Sequence, residues 1–265
     1  MQLPLKDTVP VHKRPYPVPL NQIQAVKDEI ARLIALDVIQ ESKSVYASPA
    51  FTIPKKNGKT RLVIDYRELN KKTVKLGYPF PGIQYTLIDL KGARFFSQLD
   101  LNMGYYQIEI AEKDRYKTAF VLPFGHYEFK RMPFGLCNAP REFQKIMTNK
   151  LKEFNFVKIF LDDILIFSKT AEEHENHIEK VLKKLHEEGI SVNYEKSSFM
   201  NKEVKYLGKI IDERGIRPDT TVLLNLDKLA VPRNRKGLMQ LLGIINWFRD
   251  HVPGLSQRIA PLQAN

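Results

Sequence analysis

The side chains best placed to do chemistry in this chain are acidic. Asp162 and Asp163 stand between two short apolar runs, Phe156-Val-Lys-Ile-Phe-Leu161 and Ile164-Leu-Ile-Phe167. Two such runs separated by two residues read as a tight β-hairpin. Two-residue hairpins favour Asn-Gly or Asp-Gly because the turn needs positive φ. A pair of adjacent carboxylates brings no glycine and sets like charges side by side. A solvated acidic turn is the plain reading of any Asp-Asp pair. Between strands this apolar, however, the charges lie beside a buried surface, where an unpaired carboxylate is costly. A divalent cation at the turn, held by hard oxygen ligands, resolves that conflict.

A third carboxylate, Asp100, falls at the end of a predicted strand, Phe95-Phe-Ser-Gln-Leu-Asp-Leu101. Taken alone, a strand-terminal Asp is more often a turn or capping residue than a ligand. Just beyond it, Gly104 permits close backbone approach and Tyr105 and Tyr106 offer aromatic faces. Brought to the hairpin, Asp100 completes a set able to hold two divalent ions about 3.5–4 Å apart, as in polymerases and nucleases. Phosphoryl transfer by such a site needs positioning and charge rather than a nucleophilic Ser or Cys.

Basic residues supply the complementary feature. Lys55-Lys-Asn-Gly-Lys-Thr-Arg61 reads either as a hairpin tip solvated by its charges or as a flexible loop whose Lys56 and Arg61 grasp phosphates. Arg67, Lys71, Lys72 and Lys75 prolong the positive surface, which favours a nucleic-acid or nucleotide contact. The whole chain of 265 residues carries 42 Lys+Arg against 30 Asp+Glu, a formal charge of +12. That balance suggests a polyanionic partner. His174 and His177 invite a metal reading, but they are not at the i, i+4 spacing of a zincin. They are expected to be solvated helix residues.

The elements that must position these groups alternate without a regular repeat. Five prolines within residues 1–20 predict an extended segment. Asn21 is a predicted N-cap for a helix with Ile23, Val26, Ile30, Leu33 and Ile34 on one face. Strands follow at Ser48–Ile53 and Leu62–Asp65, a short helix at Gln84–Lys91, and strands at Phe95–Leu101 and Lys117–Leu122. Met132-Pro-Phe-Gly135 is a loop leading to Asn138, a predicted N-cap, with Pro140 in the first helical turn. Phe143, Ile146, Met147 and Leu151 make the buried stripe of that helix. Thr170-Ala-Glu-Glu173 is a capping box for a helix ending at Gly189. Lys205–Ile211 with the turn Asp212-Glu-Arg-Gly215 predicts a second hairpin. The remainder reads as two helices separated by Pro232, with Leu223, Leu224, Leu226 and Leu229 in the first. Leu238, Leu241, Leu242, Ile245 and Phe248 belong to the second, Trp247 is expected to be packed, and Arg233, Arg235, Lys236 and Arg249 give a basic face. This mixed order argues for an α+β fold. One cysteine, Cys137, rules out an internal disulfide. No stretch approaches a membrane span and the first residues lack a signal-peptide core, so the expectation is a soluble intracellular protein.

Five stretches, in order, resemble the reverse transcriptase core of long-terminal-repeat retroelements, closest to the gypsy type. They are Arg61-Leu-Val-Ile-Asp-Tyr-Arg-Glu-Leu-Asn70, Phe95-Phe-Ser-Gln-Leu-Asp-Leu101, Met132-Pro-Phe-Gly-Leu-Cys-Asn-Ala-Pro140, Phe160-Leu-Asp-Asp163 and Tyr206-Leu-Gly208. Each is weak alone; five in register are specific. The resemblance implies a right-hand polymerase with a mixed palm sheet backed by helices. Residues 1–75 and 108–139 would be fingers, 76–107 and 140–213 palm, and 214–265 thumb. By position, Asp100, Asp162 and Asp163 match the catalytic triad, and the carbonyl of Leu101 would help to hold one of two Mg²⁺ or Mn²⁺ ions. Lys56 and Arg61 match residues that hold the incoming deoxyribonucleoside triphosphate. Gly104 and Tyr105 match the turn whose ring lies under the sugar and rejects a 2′-hydroxyl. Phe134 and Gly135 would line the nucleotide pocket. Phe160, Leu207, Gly208, Arg233 and Arg235 would contact a primer-template duplex of RNA and DNA.

Two departures stand out. The family motif at the hairpin usually begins with Tyr, and position 160 is Phe. The chain also ends where the thumb ends, so the connection and ribonuclease H regions usual downstream would be absent; an excised piece of a polyprotein and a shorter natural relative both suit this. The resulting expectation is RNA- and DNA-templated DNA synthesis in the cytoplasm, within a virus-like particle, or in the nucleus. Two other readings compete. A retroelement-derived nucleic-acid-binding protein without polymerase activity would have no use for three carboxylates in a positive cleft. An RNA-dependent RNA polymerase is opposed by the bulk of Tyr105.

Overall fold

The computed structural model describes residues 1–54, 60–221, 231–232, 234–249 and 252–263. Lys56, Arg233 and the expected helix over Leu223–Leu229 lie outside them. Helix α1 (Ile23–Ala35) is followed by β1 (Ile39–Glu41), β2 (Ser48–Pro54) and β3 (Thr60–Ile64). Next come α2 (Arg67–Lys72), α3 (Ile83–Ile88), β4 (Phe95–Leu101), α4 (Glu112–Arg115), β5 (Phe120–Leu122) and β6 (Gly125–Phe129). Then follow α5 (Ala139–Lys150), β7 (Val157–Phe160), β8 (Asp163–Ser168) and α6 (Ala171–Glu187). β9 (Val192–Asn201), β10 (Glu203–Tyr206), β11 (Lys209–Asp212), β12 (Gly215–Pro218), α7 (Arg235–Trp247) and α8 (Leu255–Gln263) complete the chain.

The chain divides into two compact units, one of Met1–Pro81, Leu99–Ile164 and Glu179–Ser197, the other of Gly82–Gln98, Leu165–Ile178 and Ser198–Asn265. The first contains a five-stranded sheet of order β1-β6-β5-β2-β3. Its β2–β3 hairpin is antiparallel, with Phe51 opposite Val63 and Ile53 opposite Arg61, whereas β2 runs parallel to β5. Val26, Ile30 and Leu33 of α1 are buried, at the helical spacing the apolar stripe predicted. The proline-rich start is indeed extended. Its backbone is tied in by Lys6 N–H to the carbonyl of Lys72 and by Ala47 N–H to that of Val11.

The second unit contains the antiparallel meander β10-β11-β12. One hairpin was expected here and two are present, because the pair Leu207-Gly208 makes a turn of its own. Both residues have positive φ, 50° and 71°. In this unit Leu242, Leu255 and Ile259 form a small buried cluster with Leu238, Ile245 and Val252 around it. A further four-stranded sheet has the order β7-β8-β4-β9.

Three local expectations need correction. Asn21 caps nothing: it lies inside a short 3₁₀ turn, Leu20–Gln22, and α1 starts after Gln22 without a side-chain cap. Asn138 does precede α5, yet its amide bonds elsewhere, accepting from Leu76 N–H and donating to the Val74 carbonyl. The long strand β9 was not anticipated. By contrast the capping box at Thr170 is present, with Glu173 N–H donating to Thr170 Oγ1 at 3.2 Å.

Candidate active site

β7 and β8 do form the hairpin, displaced by one residue from its expected turn. The turn is Leu161-Asp162, and Asp163 is already the first residue of β8. The positive φ that a two-residue turn requires is carried by Leu161, at 55°. A left-handed backbone costs a branched residue roughly 1–2 kcal/mol, so something must hold it. That residue is Gln144 of α5, almost fully buried. Its Oε1 accepts the Leu161 N–H at 2.7 Å and its Nε2 donates to the Ile159 carbonyl at 3.0 Å. Sequence reasoning missed Gln144, because Phe143, Ile146 and Met147 around it read simply as a core stripe.

β4 has the bounds its alternating residues predicted, and it lies beside β8 in the sheet. Arg94 N–H donates to the Ser168 carbonyl at 2.9 Å, which joins the start of β4 to the end of β8 and makes the pair antiparallel. Carrying that register along the strands sets Asp100 opposite the Asp162-Asp163 corner. Asp100 and Asp163 are half-buried and Asp162 is exposed. Leu101, next to Asp100, is buried. Ser197 Oγ accepts the Asp100 N–H at 3.1 Å.

After Leu101 the chain turns through Met103, at φ 54°, into a 3₁₀ turn over Gly104–Gln107. Gln107 fastens this turn: its Nε2 donates to the carbonyls of Asn102 and Ser191, and its Oε1 accepts the Ser191 N–H. A Cβ on Gly104 would lie 3.4 Å from the Phe143 ring, an ordinary van der Waals contact with α5. The result is an aromatic platform. Tyr105 stacks on Phe134 with centroids 4.7 Å apart and meets Phe143 at 5.0 Å. Phe134 is 58% exposed, unusual for so large an apolar ring. The Tyr105 hydroxyl has its pKa raised, first by burial and then by the negative charge of Asp162, which places that carboxylate in reach of the ring.

Gly135 follows Phe134 at φ 93°. Asn70 holds this loop with both ends of its amide, donating to the Gly135 carbonyl at 2.8 Å and accepting the Cys137 N–H at 2.8 Å. The neighbouring Tyr106 hydroxyl is pushed up to about 12, by burial and by Glu29, against the opposing charges of Arg32 and Arg61. Arg61, exposed on β3, is thus within electrostatic reach of this turn.

The remaining predicted residues form two further groups. Phe160 ends β7 half-buried, its ring 6.2 Å from that of Phe80, which in turn lies under the Arg141 guanidinium. In the second unit the Leu207-Gly208 turn meets Trp247 of α7, where a Cβ on Gly208 would fall 2.4 Å from the indole. Trp247 is nevertheless 41% exposed, so it is packed on one side only. Arg235 is the exposed first residue of α7.

The donor set at the hairpin consists of hard carboxylate oxygens. Neither Asp100 nor Asp162 forms an ion pair among the described residues. Among those residues no group of three or more His, Cys, Asp or Glu side chains is placed to hold a metal ion, so Asp100, Asp162 and Asp163 are not gathered into one metal site. Carboxylate oxygens are the donors Mg²⁺ takes, commonly one or two of them together with waters and substrate phosphates. His174 and His177, expected to be solvated, are not: His174 is fully buried. Its position four residues before Ile178, on the inward stripe of α6, was the signal for this.

The profile of the reverse transcriptase (RNA-dependent DNA polymerase) family matches residues 53–211. The Tf2-3 transposon polyprotein of Schizosaccharomyces pombe is 38% identical over 254 residues, covering 94% of this chain and 19% of that polyprotein. The Tf2-7 polyprotein of the same yeast has the same identity and coverage. This chain therefore spans about a fifth of the length of these curated relatives. Among solved structures, the foamy viral protease-reverse transcriptase with double-stranded DNA superposes with a TM-score of 0.89 at 29% identity, over 97% of this chain and 46% of that one. The same enzyme with an RNA/DNA hybrid gives 0.84 at 28% identity, over 97% of this chain and 35% of that one. These matches identify the α+β architecture as the right-hand polymerase fold. No helix among the described residues is long and apolar enough to cross a membrane. With its five motifs, its paired-aspartate hairpin and its fold in agreement, the chain belongs to the reverse transcriptase family.

Proposed function

We propose that this chain carries out RNA- and DNA-templated DNA synthesis, extending a primer 3′-hydroxyl with deoxyribonucleoside triphosphates. The observation that supports this most is that β4, which carries Asp100 near its end, and β8, which begins at Asp163, are neighbours in one sheet. Asp100, Asp162 and Asp163, with the Leu101 carbonyl, would hold two Mg²⁺ or Mn²⁺ ions. Bound there, such ions supply a lowered pKa for the primer hydroxyl and neutralise charge on the triphosphate. The family generally works with divalent metal.

The other residues take roles their chemistry allows. Arg61 and Lys56 bind triphosphate oxygens, Arg61 bidentately. The Tyr105 ring lies under the sugar and leaves no room for a 2′-hydroxyl, with Gly104 setting its height and Phe134 and Gly135 lining the pocket. Phe160, the Leu207-Gly208 turn, Arg233 and Arg235 bear on the primer-template duplex. Fingers, palm and thumb follow the boundaries read from the sequence.

The test is primer extension on matched RNA and DNA templates, with and without Mg²⁺. The parent chain should extend both only with metal. Asp100→Asn should lose extension by orders of magnitude while still binding duplex, since the carboxylate holds metal and not phosphodiester. Duplex binding by a parent that never extends would leave a nucleic-acid-binding protein instead.

A further inference from the structure

His174 and His177 have no part in the chemistry above, yet they sit in a continuous polar chain inside the second unit. Ser97 Oγ of β4 lies 2.8 Å from His174 Nε2. Ser168 Oγ, at the end of β8, lies 2.7 Å from His174 Nδ1 and 2.8 Å from His177 Nδ1. Ser97 Oγ also accepts the N–H of Met200 on β9 at 3.1 Å. Met200 has φ 56°, a left-handed backbone that its side chain disfavours. One imidazole therefore joins β4, β8, β9 and α6. Ser97, Ser168 and His174 are all buried.

A hydroxyl has one proton to give, so Ser168 donates to one ring and accepts from the other. His174 itself is held neutral by burial, which lowers its pKa to about 4. A buried polar network with every member satisfied rigidifies what it joins. Ser97 precedes Asp100 on β4 and Ser168 follows Asp163 on β8. We infer that His174 is a positioning residue, which through Ser97 and Ser168 fixes β4 against β8 and so sets the spacing of Asp100 from Asp163. This rests on the polymerase reading.

A misplacement of about 1 Å by a group remote from the chemistry can cost about 10²-fold in rate. His174→Leu should therefore lower kcat by about tenfold to a hundredfold. KM for nucleotide and Kd for duplex should stay within about twofold, because a loss confined to the transition state appears in kcat alone. Hydrogen exchange should quicken at the amides of Met200 and Arg94 but not along α5. His174→Asn, which keeps one polar contact, should recover part of both effects. Should His174→Leu fail to fold, Ser97→Ala removes one hydroxyl of the chain alone and decides in the same terms. A folded variant with the parent's kcat overturns the inference. So does one whose exchange rises uniformly with kcat unchanged, since that assigns the network to stability only. A parent that does not extend primers defeats the polymerase reading instead, while the exchange measurement still reports on the network.

Discussion

Gln144→Ala would test how the acidic hairpin is held. Gln144 grips the turn by two bonds, from Leu161 N–H and to the Ile159 carbonyl, on either side of the Asp pair's approach. Each such bond contributes about 0.5–1.5 kcal/mol net. Together they match the roughly 1–2 kcal/mol by which a left-handed leucine is disfavoured. Without them the turn is free to relax, and a bias of 1–2 kcal/mol corresponds to a population ratio of about 5–30. Single-turnover primer extension at saturating nucleotide and metal should thus slow by about 5–30-fold. The second half of the cycle is Leu161→Gly, which removes the disfavoured side chain. In the double variant the penalty for losing Gln144 should shrink, with a coupling of at least about 0.5 kcal/mol. A Gln144→Ala rate equal to the parent's, or strict additivity in the double variant, would refute the argument.

Tyr105→Ala should admit ribonucleotides, since a methyl leaves space where the ring stacked on Phe134 did; the ratio of deoxyribonucleotide to ribonucleotide kcat/KM reports it, and an unchanged ratio removes Tyr105 as the gate. Phe160→Tyr should alter the extension rate by less than about tenfold, or 1.4 kcal/mol of barrier, because the hydroxyl adds at most one hydrogen bond beside Phe80. An inert parent rescued by that change would show otherwise. Gly208→Ala places a methyl inside the Trp247 contact at φ 71°, so both the turn and the indole must move. A destabilisation of about 1–3 kcal/mol is expected, with a shifted emission maximum from the chain's single Trp; unaltered fluorescence and Tm would contradict the packing.

How much of this was legible beforehand depended on whether a residue's role followed from local pattern. β4 was placed to the residue because the apolar pair Phe95-Phe96 and the alternation Leu99-Asp100-Leu101 read as strand. The Asp pair was found because charge between apolar runs conflicts with burial. The turn was misplaced by one because Leu161 looks like strand, and nothing in its chemistry announces a left-handed backbone. Gln144 and Asn70 act on backbone groups distant in sequence, so no spacing rule could have marked them. His174 was misjudged differently: without the spacing of a metal site it read as solvated, while its phase with Ile178, Val181 and Leu185 pointed inward. Reading helical phase before ligand spacing would have corrected that.

Met103, Leu161, Met200 and Leu207 share one property: each is a large side chain in left-handed backbone at or just past the end of a strand. For anyone seeking a heat-resistant version of this protein, they are the obvious targets, since glycine relieves the strain at each. Three of them flank residues given roles above, and the fourth hangs from Ser97. A screen that scores melting temperature alone will favour glycine there, and every gain will loosen a turn that aims something. Thermostability should be sought instead on the surface of α1 and α6, with those four positions held fixed.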